Sequence, residues 1–362
     1  MSETNGDLSR NTVTADGVEA PLARWLERRL GRGEPVAITS LGRPKGGFSA
    51  ETWLVDATVG DIPERFVLRR ETPDPPIYPT QVPGLEVEVD IQYRVMEALT
   101  RAGGIPVAPL VGYETDPSVL GQPFFVMGFI GGEIPAESPP YPTDGFFTQL
   151  SAPARHQVIE SGLGALAKVH QVDWRGVGLE WLVAPGTEPG VETQLAVWQR
   201  YGEAELAGRA HPVLDDGLRW LRDHPASPSP VVFNWGDPRP GNIIFDQGRC
   251  ACLTDFEACS IAPPEVDLGW WLMFDWTMHE GAGLAARPDG DPSRDEQIEL
   301  YAKASGHEPG SIRWFEVFAA VRYCYIVVRV MNRAVAQGHL PADQTIWRDN
   351  PASACLAALL GG

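Results

Sequence analysis

The chain has 362 residues, 43% hydrophobic and 21% charged, which describes a globular protein with room for two lobes around a cleft. A formal charge of −19 argues against a nucleic-acid binder, which needs clustered Lys and Arg to displace counterions from phosphates, and against anionic membrane surfaces. No run approaches the roughly eighteen apolar residues of a spanning helix, and residues 1–17 lack the apolar core of a secretory signal. A soluble, cytoplasmic protein with a loose tail over 1–17 is expected.

Apolar spacing over 22–30 (LARWLERRL) predicts an opening helix. Residues 36–38 and 52–55 are strand-like, and between them 41–49 carries Gly46-Gly47-Phe48-Ser49. Taken alone this is a hairpin turn, although its glycines would also let backbone N–H groups approach phosphates. A third strand is predicted over 65–70, a helix over 85–99, and a buried strand running into a glycine-containing link over 122–132. Residues 135–145, rich in Pro and polar side chains, read as a surface loop near the cleft mouth. The pattern then turns helical at 156–170, 194–201 and 214–221. Residues 231–233 lead into the loop that follows, 243–245 and 251–253 form a hairpin, and 264–267 open a Trp-rich helix over 268–276. A loop over 281–294 precedes a long helix over 312–332. Cys250, Cys252 and Cys259 crowd one region without the paired spacing or nearby His of a zinc site, and are read as buried thiols.

The most informative stretch is FNWGDPRPGNIIFD at 233–246, followed by LTDFE at 253–257. Asn242 lies five positions after Asp237, and Asp255 eighteen after it. Phosphoryl transfer needs a carboxylate for the attacking hydroxyl, with an amide and a second carboxylate to hold Mg²⁺. Protein kinases place the same residue types at this short spacing. Arg239 stands where kinases carry a Lys that meets the transferring phosphate, and Trp235-Gly236 replace the His-Arg before the Asp. In the strand over 65–70, the alternation of a kinase V-A-I-K strand puts Val67 and Arg69 toward the cleft, with Arg69 at the Lys position.

WGDPRPGNIIFD, TDFEACSIAPPEVDLGWW and the upstream LAKVH resemble the aminoglycoside phosphotransferase family, a small-molecule branch of the protein-kinase-like fold. The D-x-R-x-G-N form and the acidic residue after the second Asp are most similar to the phosphotransferase domain of acyl-CoA dehydrogenase family members 10 and 11. The resemblance spans roughly 36–329. It implies an α+β, bilobal fold: a small antiparallel sheet with one helix as the nucleotide lobe (18–130), and a larger helical catalytic and substrate lobe (131–362). It further implies phosphate contacts from Gly46, Gly47 and Ser49, and a hinge with Met127 as gatekeeper and backbone groups of Gly128 and Ile130 facing adenine. Gln92 falls at the position of the Glu that normally pairs with the strand cation; Glu88, one turn earlier, is a possible substitute. His170 is read as a structural His bonded to the catalytic loop, and Asp267 as the carboxylate bracing it.

The reading is an ATP-dependent kinase of a small hydroxylated molecule. Asp237 serves as base with Arg239 beside it, Arg69 and Gln92 stand on the nucleotide side, and Asn242 and Asp255 hold Mg²⁺. Glu257 could bind metal, shape the acceptor pocket or face solvent. A nucleotide-binding pseudokinase or scaffold is the alternative, supported by Arg69, Gln92 and Trp235 and opposed by retention of Asp237, Asn242 and Asp255 together. A protein kinase is disfavoured because only twelve residues separate Asp255 from Asp267. The acceptor is not readable.

Overall fold

The computed structural model describes residues 17–43 and 50–361. The expected phosphate-loop residues Gly46, Gly47 and Ser49 lie outside the described residues, as does most of the 1–17 tail. The N-terminal part begins with α1 (Glu19–Leu30), which buries Leu22, Trp25 and Leu26 on one face and ends at a left-handed Gly31. Next come β1 (Val36–Gly42), β2 (Glu51–Val59), β3 (Ile62–Arg70), α2 (Glu88–Ala102), β4 (Leu110–Glu114), the one-turn α3 (Pro117–Leu120) and β5 (Phe124–Gly128). The five strands form one antiparallel sheet in the order β1-β2-β3-β5-β4. Strict alternation in β2 turns Trp53, Val55, Ala57 and Val59 into a core shared with α1.

The C-terminal part contains α4 (Phe146–Gln149), α5 (Ala152–His170), α6 (Val191–Leu206), α7 (Pro212–Asp223), β6 (Val232–Asn234), β7 (Ile243–Asp246), β8 (Arg249–Leu253), β9 (Ser260–Ala262), α8 (Glu265–Met278), α9 (Arg294–Ser305), α10 (Ile312–Ala336) and α11 (Pro351–Gly361). α8, largely apolar but carrying the carboxylates of Glu265, Asp267 and Asp275, packs along α10 and is buried almost throughout. The strands matter for position. Antiparallel pairing of β6 with β9 brings the start of loop 235–242 to the end of loop 254–259, and the β7–β8 hairpin brings the end of the first to the start of the second. Two short loops are thereby held face to face.

Three expectations change. The 135–145 segment is largely at the surface beside the cleft, but it is anchored there: Tyr141 is buried in the main core and Glu137 reaches Arg239. β4, β9, the one-turn α3 and α4, α11, and α9, which opens on a Ser293–Glu296 capping box, were not expected as elements. Residues 71–87, between β3 and α2, form an irregular strap that leaves the sheet and docks on the helical part. Ile77 lies in the core of α8 and α10, Arg329 Nε donates to the Pro76 carbonyl at 3.1 Å, and Tyr201 donates to that of Ile77. The five cysteines form no disulfide; four are buried and Cys250 is half-buried. Among the described residues no helix is long and apolar enough to cross a membrane.

Candidate active site

The first loop has a steric reason for its sequence. Gly236 has φ +95°, and a Cβ there would come within 2.1 Å of the Ala258 carbonyl oxygen on the facing loop. Only glycine accommodates both the conformation and the approach. Its N–H and that of Trp235 donate to the buried Asp267 carboxylate, at 2.9 and 2.7 Å. The Gly236 carbonyl accepts from Arg322 Nη2 at 3.0 Å. Burial pulls the Arg322 guanidinium down to about 10, against the pull of Asp267, and its charge lies over the rings of Trp198 and Trp270. His170 contacts Asp267 Oδ2 at 3.2 Å and Tyr301 Oη at 2.6 Å. It therefore acts on the loop through Asp267 and does not bond it directly as expected.

Asp237 is 3% exposed and is the most densely bonded side chain of the site. Its Oδ1 accepts from Trp270 Nε1 at 2.7 Å; its Oδ2 accepts from Asn242 Nδ2 at 2.8 Å and from the Tyr78 hydroxyl at 3.1 Å. Arg239 Nε lies 3.0 and 3.1 Å from the two oxygens. Arg239 also pairs with Glu137 and covers Phe274. Burial opposes the Arg239 charge, but Asp237 and Glu137 outweigh it and raise the pKa further. Asn242 Nδ2 donates as well to the Asp237 carbonyl at 3.0 Å, which directs both side chains into one space.

The second loop places Asp255 beside them, since Thr254 N and Oγ1 each donate to the Asn242 carbonyl at 3.0 Å. Asp255 holds a left-handed φ of 56°, a conformation that costs a non-glycine residue roughly 1–2 kcal/mol and marks functional sites. Its Oδ1 lies 2.9 Å from Arg69 Nη2, an ion pair lacking hydrogen-bond alignment, so this buried oxygen has no hydrogen-bond partner. With the Asn242 amide it makes a set of oxygen donors suited to a hard divalent cation. The residues fit Mg²⁺.

Arg69 is held differently from the usual pattern. Glu257 Oε2 lies 3.4 Å from its Nη2 and accepts from Gln92 Nε2 at 2.8 Å, while Thr52 Oγ1 takes Nη1 at 2.9 Å. The carboxylate expected on α2 has moved to the second loop, and Gln92 holds it. Gln92, expected as a nucleotide-site residue, spends its amide on Glu257 instead. Glu88 makes no ion pair with Arg69 and acts on it only through its charge; its carboxylate accepts from Ile77 N at 3.1 Å in the strap. Burial works against the Arg69 charge, but Asp255 and Glu257 hold it and raise the pKa. At the expected hinge, Met127 and Ile130 are half-buried. The Gly128 N–H donates to the Pro109 carbonyl at 2.8 Å and is therefore not available to a base.

Tyr78, Trp270 and Glu137 escaped the sequence reading although all three touch Asp237 or its arginine. The isolated Ile-Tyr pair inside the Pro-rich 73–79 stretch was the one legible sign that this connection is anchored. Away from this site, Asp275, His279 and Asp291 converge in the interior, where Arg287 pairs with Asp275 and His279 Nε2 meets Asp291 at 2.6 Å.

A small antiparallel sheet against a larger helical part, with two facing loops between them, is the kinase-like fold of the aminoglycoside phosphotransferases. The model of the phosphotransferase enzyme family matches residues 40–305, and the chain belongs to that family. Among curated proteins it is similar to acyl-CoA dehydrogenase family member 11 of Gallus gallus, 28% identical over 67% of this chain and 30% of that one. A probable acyl-CoA dehydrogenase, IBR3, of Arabidopsis thaliana is 25% identical over 79% and 35%. The chain thus spans about a third of these relatives. Among solved structures, a candidate aminoglycoside phosphotransferase from Ralstonia eutropha superposes with a TM-score of 0.70 at 22% identity, covering 94% of this chain and 98% of that one. The streptomycin–ATP–APH(2″)-IIa ternary complex gives 0.54 at 12% identity over 95% and 96%. At these identities the likeness is one of fold.

Proposed function

We propose that the chain is an ATP-dependent kinase that moves the γ-phosphate to a hydroxyl of a small molecule. The observation that carries this is the convergence of Asp237, Asn242 and Asp255 on two loops pinned to each other. An ATP-bound protein of the same fold favours ATP as the donor.

In this reading Asn242 and Asp255 hold Mg²⁺, which when bound neutralises charge on the nucleotide phosphates. Asp237 orients the acceptor hydroxyl and takes its proton as the oxygen attacks phosphorus. Arg239, fixed by Glu137, supplies positive charge beside that carboxylate, and Arg69 does so from the sheet side, where Asp255 and Glu257 keep it pointed into the cleft. Gly46, Gly47 and Ser49 cover the phosphates, and Met127, Gly128 and Ile130 border adenine, with the Gly128 carbonyl as that residue's remaining polar group. The protein works in the cytoplasm on a soluble hydroxylated compound.

One observation favours a second reading. Arg69 already pairs with the Asp255 carboxylate, as it would in a nucleotide-binding scaffold that never loads a metal. Incubating the protein with Mg-ATP and a panel of hydroxylated compounds decides between them. The kinase reading expects acceptor-dependent ADP formation, lowered about 10²- to 10⁴-fold by Asp237→Ala. Nucleotide binding without turnover on any acceptor would favour the scaffold.

A further inference from the structure

The Asp237 carboxylate has room for about four hydrogen bonds, and Trp270, Asn242, Arg239 and Tyr78 supply four donors. An acceptor hydroxyl can reach Asp237 only if one of them leaves. Trp270 is locked in α8 at 1% exposure, Asn242 is bound a second time to the Asp237 carbonyl, and Arg239 is tied to Glu137. Tyr78 comes from the strap, and its contact of 3.1 Å is longer than those of Trp270 and Asn242.

The strap's position gives that contact a consequence. Tyr78 and Glu257 line a water-sized cavity whose other walls include Pro79, Gln81 and Leu182. Those three residues also line a groove of about 630 Å³ between the strap and α6, which runs along Gln194 and Arg200. Tyr78 therefore stands between the groove and Asp237. The strap is anchored to α10 through Arg329 and to α6 through Tyr201, which bond its backbone, to α6 again through the Gln194–Gln81 side-chain hydrogen bond, and in the core through Ile77. The tyrosine side chain is the part of this arrangement that can turn aside while the strap stays docked.

On the kinase reading above, we infer that Tyr78 plugs the acceptor site. Its hydroxyl holds the place on Asp237 that an acceptor hydroxyl must take, and the acceptor arrives from the strap–α6 groove by displacing it. Without an acceptor, the plug keeps water off the carboxylate that would take its proton, so ATP is not spent on hydrolysis. Acceptor identity is then tied to the strap: a compound too small to move the tyrosine leaves the site closed.

The test needs no acceptor. ADP release from Mg-ATP in water alone is measured for the parent, Tyr78→Phe and Tyr78→Ala, with the Mg-ATP melting shift of each recording fold and nucleotide binding. In this reaction water attacks the γ-phosphorus, its proton passes to Asp237, and ADP and inorganic phosphate leave. Tyr78→Ala should raise the rate about tenfold or more, the scale of one hydrogen bond and its water exclusion, and Tyr78→Phe by less because the ring still fills the passage. Adding Asp237→Ala to Tyr78→Ala should abolish the gain, which a merely loosened fold would not do. Variants that bind Mg-ATP like the parent yet hydrolyse it no faster would overturn the plug. So would phosphate appearing on Tyr78 itself, since the phenol would then be an acceptor. A parent without any Mg-ATP shift would overturn the kinase reading, and this inference with it.

Discussion

Two clusters of the cleft are built on opposite principles. Asp237, Asn242 and Asp255 lie within nineteen residues of one another, and two short paired strands and a hairpin bring them together. Arg69, Gln92 and Glu257 come from three distant segments, with Gln92 and Glu257 separated by 165 positions. In the first cluster spacing alone sets the geometry, because loops this short leave few ways to place a side chain. In the second, function constrains only the final charge pattern around Arg69, so a carboxylate can move from helix to loop provided an amide takes its old place. Chemistry held by local geometry resists change of residue type; chemistry held by long-range pairing drifts.

The strongest challenge to that contrast is to move the carboxylate back. Glu257→Gln should cost about 1–3 kcal/mol in denaturant unfolding, the worth of hydrogen bonds to a charged group, and should weaken ATP binding. Gln92→Glu alone should also destabilise, by placing a second carboxylate against Glu257. The double variant Gln92→Glu/Glu257→Gln restores one carboxylate and one amide, so it should be more stable than the single costs summed, with a coupling of about 0.5–3 kcal/mol. Additive losses would mean that the two positions are not exchangeable and that Glu257 has a separate task.

A smaller effect comes from a local cluster outside the cleft. Burial alone would depress the His279 pKa, but the hydrogen bond to Asp291 and the charges of Asp275 and Asp291 outweigh it and raise the pKa above the usual 6.5. The stability this His contributes is therefore full below pH 6.5 and is lost as pH rises through the raised folded value. Unfolding free energy followed from pH 6 to 9 should show that decline, and His279→Gln should flatten it. A parent and variant with parallel pH curves would show that the imidazole titrates at the same pH folded and unfolded.

The same division explains what was legible beforehand. The order of helices and strands and the Asp-Asn-Asp group follow from periodicity and spacing. The three-residue β9 was hidden in ACSIAPPE because so short a strand has no period of its own, yet it pins the two loops. α9 carries a readable signal in Ser293-Arg-Asp-Glu296, a capping box that straddles the end of the 281–294 stretch. The Glu257–Gln92 exchange could not be read, since nothing local to either residue names the other. Nor could the strap: prolines at 73–79 suggest a connection, and only the folded chain shows Tyr78 against Asp237.

The central claim is that Asn242 and Asp255 form a metal site serving a phosphoryl transfer run by Asp237. The most direct measurement is the Mg²⁺-dependent part of the ATP melting shift in the parent, Asp255→Ala and Asp237→Ala. At a hundredfold over its dissociation constant Mg-ATP should stabilise the parent by about 2.7 kcal/mol, a shift of a few degrees in a chain of this size. Asp255→Ala should lose the Mg²⁺-dependent part, while Asp237→Ala should keep it and lose phosphate transfer. An Asp255→Ala protein with the full Mg²⁺-dependent shift, or an Asp237→Ala protein that transfers phosphate at the parent rate, would contradict the assignment.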